Sequence, residues 1–283
     1  MRTKSFRSVV KNYKAVFFDA FGVLKNHKGL IPDIEKTFEY LERKGIHYYV
    51  LTNDSSRSPE ELAKWYQTRG IRYITTDKIL SSGMLAMEFF KTKVTNGNSV
   101  AYLGTSASAH YIESVGLNTI PVADIDLNNL DHIESFAFLD DEGFSWNDDL
   151  NKTINLLRKK NMTVVVANTD INYPVSRNDI SVAIGGLADM VENIIGKNFI
   201  RFGKPDAQMF LLAYERALQD IQVKRNEILM VGDTLFTDII GGNKFGLDTA
   251  LVLSGNTLPD MAKIRIGSSG IIPTYICDSA VIE

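Results

Sequence analysis

Short apolar or β-branched runs alternate with amphipathic segments along this chain. Residues 15–18, 47–51, 99–103, 136–139, 163–167, 199–202, 228–231 and 249–253 have the length and content of buried strands. Helical patterns fill the intervals at 32–44, from 58 to about 69, and at 78–91, 106–115, 148–159, 187–195 and 237–245, with one more after Pro205. Pro32 suits a first helical turn and Gly45 a helix end, while Ser58-Pro59-Glu60-Glu61 has the form of a capping box with proline at the first helical position. Val94 to Asn98 contains Asn-Gly, which accommodates positive φ, and reads as a turn or hinge. A polar stretch, 168–179, leads through Gly185-Gly186 to the helix at 187–195. Strand–helix alternation of this kind predicts an α/β fold, a doubly wound parallel sheet with helices on both faces. Ligands in such folds sit beyond the carboxyl ends of the strands, so the informative residues are those that immediately follow the apolar runs.

Composition adds limits. A chain of 283 residues with 45% hydrophobic and 23% charged positions is that of a globular protein of one large or two ordinary domains. With 31 Lys and Arg against 34 Asp and Glu, the net charge of −3 supplies no global attraction to nucleic acid or to an anionic membrane. Cys277 is the single cysteine, which excludes an intrachain disulfide and a thiolate metal cluster. Residues 1–14 are basic but lack the apolar run of a secretory signal, and no stretch reaches the roughly 18 apolar residues of a membrane span. The expectation is a cytoplasmic protein. His27, His47, His110 and His132 have no zinc-ligand spacing.

Four strand ends carry chemistry. Asp19 follows 16–18 and precedes Gly22, a placement that exposes a carboxylate as nucleophile or metal ligand, or simply caps a loop. Thr52-Asn53 closes a strand ahead of a helix, where hydroxyl and amide groups donate to anionic oxygens or to their own turn. Lys204 lies between Gly203 and Pro205 after the run at 199–202. The segment Gly232-Asp233-Thr234-Leu235-Phe236-Thr237-Asp238 is the sharpest signal, because two carboxylates straddle a strand-to-helix turn. Carboxylates converging there repel unless a cation neutralises them, and Mg²⁺ suits an all-oxygen site with few carboxylates.

Taken in order, Asp19, Thr52, Lys204 and the Asp233/Asp238 pair resemble the motifs of the haloacid dehalogenase-like superfamily over nearly the whole chain. The stretches from Thr52 to Ser58, Phe202 to Pro205 and Gly232 to Ile239 look like its class IIA branch, which includes nitrophenylphosphatase-like and nucleotide-monophosphatase-like proteins. The resemblance implies a Rossmann-like core of residues 1–96 and 182–283, with a C2-type α/β cap inserted at 97–181. Asn168-Thr169-Asp170 resembles the Asn-Pro-Asp stretch that ends such caps. It further implies a phosphohydrolase of small phosphorylated metabolites that forms an aspartyl-phosphate on Asp19. Asp19, the Phe21 backbone carbonyl, Asp233 and Asp238 would hold Mg²⁺. Thr52, Asn53, Lys204 and the backbone around Ala20 and Phe21 would bind the phosphoryl group, while Asn168 and Asp170 either face the substrate or simply form a turn. By the same resemblance, caps of this class take part in homodimer contacts.

One position departs from the pattern. Most phosphatases of the superfamily place a general-acid Asp two residues after the nucleophile, and this chain has Phe21. Three readings follow: a phosphohydrolase restricted to good leaving groups or using an acid from elsewhere, a metal-independent dehalogenase, or a binding or regulatory protein with reduced turnover. The complete Asp233/Asp238 motif argues against the dehalogenase, which attacks carbon without a metal. His27, in the loop after Asp19, is a candidate substitute acid. Phe144-Ser145-Trp146 is a candidate cap wall or a helix start.

Overall fold

The computed structural model describes residues 3–94, 99–176 and 179–282, so most of the expected Val94–Asn98 turn lies outside the described residues. The strand Ala15–Phe18 is buried at every position and runs parallel to Ile228–Gly232 on one side and His47–Thr52 on the other. Asp248–Val252 and then Tyr275–Cys277 extend the sheet beyond the first neighbour, and Ile79–Ser81 extends it beyond the second, giving six parallel strands. Burial on both faces is what a parallel sheet requires. Alternate residues divide between two cores. Val16, Phe18, Tyr48, Val50, Leu229 and Val231 pack with Val9, Phe38 and Leu41 on one face. Ala15, Phe17, Tyr49, Leu51 and Met230 pack with Phe210 and Ala213 on the other.

A second parallel sheet has five strands, in the order Ile200–Arg201, Thr163–Val166, Ile133–Phe138, Ser99–Leu103 and Asn118–Pro121. Phe136, Phe138 and Val166 meet Leu156, Leu157 and Val191 on one face. Val100, Tyr102, Ala137 and Val165 meet Ala86 and Phe90 on the other. The helix Ser82–Lys93 is therefore shared, because its Met84 and Leu85 pack against the six-stranded sheet's core.

Several expectations shift. The inserted unit does not stop at residue 181: Ile200 and Arg201 pair with Val165 and Val166, and the helix Ile184–Ile195 lays Leu187 and Val191 on the second sheet. The run before Lys204 is thus an edge strand of the inserted sheet. Residues 79–81, expected as helix, pair with Val50, Leu51 and Thr52. The helix expected at 106–115 shrinks to His110–Glu113, because the Thr105 and Ser108 hydroxyls bond the backbone of their own turn. The strands Asn118–Pro121 and Tyr275–Cys277 leave no strong pattern because both are edge strands, only partly buried. The polar stretch at 168–179 conceals half of a hairpin, Asn172–Pro174 with Ile180–Val182. No helix among the described residues is long and apolar enough to cross a membrane.

Candidate active site

The register of the central strands decides which side chains meet. Phe18 sits beside Val231, and the next amide, Asp19 N–H, donates to the Val231 carbonyl at 2.8 Å. Asp19 and Asp233 consequently leave adjacent strand ends, and Thr52 ends the strand on the other side of Ala15–Phe18. Asp238 returns to the same point because the chain after Thr234 opens as a wide π-turn, Leu235–Ile239, before the α-helix Ile240–Phe245. The Thr234 N–H donates to Asp238 Oδ2 at 3.1 Å and fixes that return. Gly232 leaves room for it, since a Cβ there would lie 2.1 Å from the Asp238 Cβ.

Lys204 enters from the connection between the inserted sheet and the helix Ala207–Asp220, and its side chain is almost completely buried. Its ammonium donates to Asp19 Oδ1 at 2.5 Å and to Asp238 Oδ1 at 2.7 Å. Burial opposes its charge, but Asp19, Asp238 and Asp170 more than offset that and hold it protonated well above the usual lysine range. The carboxyls are pushed upward as well, which for them favours the neutral form. Burial, joined by Asp238 and opposed by Lys204, raises Asp19 to about 6. Burial and the charges of Asp19 and Asp238 raise Asp233 well above the carboxylate range. Asp238 rises through burial, with Lys204 opposing.

These groups fit a divalent cation. Asp19, Asp233 and Asp238 each present one oxygen within 4.8 Å of the others, a set of hard donors facing a single ammonium. The Ala20 carbonyl accepts from the Leu24 and Lys25 amides, whereas among the described residues no donor reaches the Phe21 carbonyl, which leaves it available as a further ligand. Asp233 is braced rather than mobile. Its Oδ2 accepts from the Asn256 N–H at 2.5 Å and its Oδ1 from the Thr234 hydroxyl at 3.0 Å. A Cβ at Gly22, where φ is +85°, would come 2.0 Å from that Oδ2. Glycine is required there twice over, for the conformation and for the approach.

A cleft of about 830 Å³ opens over Asp19 between the two sheets. Thr52, Asn168, Asp170, Phe21 and Lys204 line it. Thr52 Oγ1 accepts from the Asp54 N–H at 3.1 Å, which leaves its hydroxyl proton to donate into the cleft. The Ala20 N–H is turned toward the Asp19 carboxylate. Asn53 does not face the cleft. Its amide group donates to Asp170 Oδ1 at 2.9 Å, to Thr169 Oγ1 and to the Lys204 carbonyl, and its oxygen accepts from the Lys204 N–H at 2.7 Å. With both ends of the amide consumed, Asn53 ties three loops together and its side chain has nothing left for substrate. Asn168 closes a turn of its own by accepting from the Asp170 N–H at 2.8 Å. Burial raises Asp170 to about 6, with Lys204 opposing and Asp19 reinforcing.

Two other candidates fall away. His27 is exposed in the tight turn between Lys25–Asn26 and Gly29–Leu30 and does not line the cleft. Phe144 and Trp146 stack on each other, and Ser145 caps the helix Trp146–Lys159, so that segment is a helix start. The wall is built instead by Ile171, Tyr173 and Ile180 around the hairpin, and by Asp140 and Asp141 after Ile133–Phe138. Phe21 meets the Tyr173 ring edge to face at 6.3 Å, and the Tyr173 hydroxyl donates to Asp141. Lys25, which also lines the cleft, pairs with Asp54 at 3.4 Å. Asn256 was findable, because it too follows an apolar strand, Asp248–Val252, by a few residues. The hairpin wall was not, being polar and irregular in sequence.

Comparison with known proteins gives a consistent picture. Residues 16–118 match the family model described as haloacid dehalogenase-like hydrolase, and residues 201–280 match a second, HAD-hydrolase-like model. The chain is 26% identical to mouse (Mus musculus) chronophin over 285 residues, covering 99% of this chain and 94% of that one. It is 26% identical to the acid sugar phosphatase of Staphylococcus saprophyticus over 268 residues, covering 94% and 95%. Among solved structures, a possible sugar phosphatase of the HAD superfamily from Cytophaga hutchinsonii is 56% identical, covers 100% of this chain and 99% of its own, and superimposes with a TM-score of 0.95.

Proposed function

From its place among the haloacid dehalogenase-like hydrolases, the family to which this chain belongs, we propose that the protein is a Mg²⁺-dependent phosphohydrolase of small phosphorylated metabolites, working through an aspartyl-phosphate on Asp19. The observation that carries this reading is the buried ammonium of Lys204 held between Asp19 and Asp238, with Asp233 alongside. A carboxylate approaches a phosphate dianion only where positive charge offsets the repulsion, and this site gathers the groups that supply and hold such charge. Asp19, Asp233, Asp238 and the Phe21 carbonyl would hold the cation, which when bound neutralises charge on the phosphoryl oxygens. Asp19 Oδ attacks phosphorus. Lys204 and the Thr52 hydroxyl bind the transferring oxygens, and Asn53 holds the Lys204 backbone so that its ammonium reaches the nucleophile. The names of the relatives, a sugar phosphatase among them, favour a sugar phosphate or similar ester as substrate.

The test is hydrolysis of nitrophenyl phosphate. Turnover is expected to require Mg²⁺, to stop with a chelator and to fall at least ~10³-fold in Asp19→Asn, since removal of a covalent nucleophile abolishes the step it performs. Hydrolysis undiminished in that variant would refute the reading.

A further inference from the structure

Phe21 carries no exchangeable proton, so a leaving alkoxide needs its proton from another group in the cleft. Beside Asp19, the described carboxyls that line it are Asp54, Asp140, Asp141, Glu142 and Asp170. Asp54 is held as a carboxylate, since Lys25 and the hydroxyl and amide of Ser56 outweigh its burial and keep it below the usual range. Asp140 and Asp141 stand on the inserted unit's rim, bonded to the Thr105 and Tyr173 hydroxyls. Burial raises Asp140 to about 6 as well, with Asp141 reinforcing, so its place on that rim, bonded to Thr105, rather than its acidity separates it from Asp170. Asp170 is different. The charges acting on it are Lys204, Asp19 and Asp54. Asn53 bonds it at 2.9 Å while also gripping the Lys204 backbone at 2.7 Å, and Thr169 beside it donates to the Lys204 carbonyl at 2.7 Å. Its Oδ1 is engaged by a neutral donor only, and among the described residues nothing donates to Oδ2.

Resting on the phosphohydrolase reading above, we infer that Asp170 is the catalytic acid and base of this chain, replacing the carboxyl that position 21 lacks. In the first step Asp19 Oδ forms a bond to phosphorus. The ester P–O bond breaks with its electron pair on the leaving oxygen, which takes the Asp170 proton and departs as an alcohol. In the second step water attacks the aspartyl-phosphate, its proton passes to the Asp170 carboxylate, and the P–O bond to Asp19 breaks to release phosphate. The sum is ester plus water to alcohol plus phosphate, with Asp170 protonated again. Burial favours the protonated starting form by raising this carboxyl to about 6, near the range where a general acid works well.

The experiment compares Asp170→Asn with the parent enzyme on nitrophenyl phosphate and on glycerol phosphate, each with Mg²⁺, across pH 5 to 9. Asparagine keeps an oxygen for the Asn53 amide, so the fold and the lysine's position are retained. A phenolate leaves with little help and an alkoxide does not. The glycerol phosphate rate is therefore expected to fall ~10²-fold or more relative to the nitrophenyl phosphate rate. The limb of the parent's glycerol phosphate pH profile that reports the protonated acid is expected to disappear. Equal losses on both substrates, or an unchanged pH profile, would overturn the assignment. A parent enzyme inactive on both esters would instead overturn the phosphohydrolase reading.

Discussion

At the scale of single residues, the exchange of a carboxyl for a phenyl ring at position 21 is the feature that most changes the chemistry. The ring lies against Tyr173, 6.3 Å between centroids, on the wall of the cleft. If Asp170 already supplies the proton, a carboxyl restored at position 21 is largely redundant. Phe21→Asp is then expected to change glycerol phosphate turnover only a few-fold in the parent, yet to recover ~10-fold or more in the Asp170→Asn background. Steady-state kinetics on the four proteins form a double-mutant cycle, and the same fold-change in both backgrounds would show that the two positions do not share the task. Asp19, Lys204, Asp233 and Asp238, which meet in one charged cluster, are legible in sequence because each follows an apolar run, and strand ends are where α/β folds place chemistry. Asn53 is legible as a site residue but not in its role. Whether an amide faces substrate or a neighbouring loop depends on Thr169, Asp170 and Lys204, more than a hundred residues away in the chain.

At the scale of elements, the approach of the helix Ile184–Ile195 to the segment 168–171 sets where Asp170 stands. Gly185 and Gly186 are inside that helix, where glycine costs about 1 kcal/mol relative to alanine. Their reason is proximity: a Cβ at Gly185 would lie 2.6 Å from the Asp170 carbonyl oxygen and 2.7 Å from the Thr169 carbonyl carbon. Propensity alone makes Gly185→Ala stabilising. A backbone contact that close cannot be relieved by a side-chain rotation, and overpacking of this kind costs about 1–3 kcal/mol, so the clash outweighs the propensity. The expected result is a lower melting temperature together with a loss of phosphatase activity, as the 168–171 segment is pushed from Lys204. A raised melting temperature would show that helix propensity wins. In sequence the same glycine pair reads as a loop before the helix, because the reason for it lies in another element. The inserted unit's end is hidden for a related cause. Ile200–Arg201 is two residues long, and only its pairing with Val165 and Val166 shows which sheet it serves.

At the scale of the whole molecule, two sheets enclose a cleft in which acidic groups outnumber the buried cation, and this couples the fold's stability to pH and to metal. Burial raises Asp19 to about 6, and raises Asp233 well above its ordinary value with Asp19 and Asp238 reinforcing. A carboxyl whose folded value exceeds its unfolded one binds more protons when folded. It thus contributes stability that is present at low pH and is lost as pH rises from the unfolded value near 3.8 through the folded one. Without a divalent ion the protein is therefore expected to become less stable between about pH 4 and 6, and further as Asp233 ionises. A bound cation reverses the sense, because it needs those carboxyls deprotonated and stabilises only the folded chain that assembles them. Saturating Mg²⁺ should accordingly raise the melting temperature more at pH 8 than at pH 5, measured by thermal denaturation with and without a chelator. Asp233→Asn should shrink both the Mg²⁺ shift and its pH dependence, since it removes one ligand and one of the repelling charges. An equal Mg²⁺ shift at both pH values would place the ion somewhere other than among Asp19, Asp233 and Asp238.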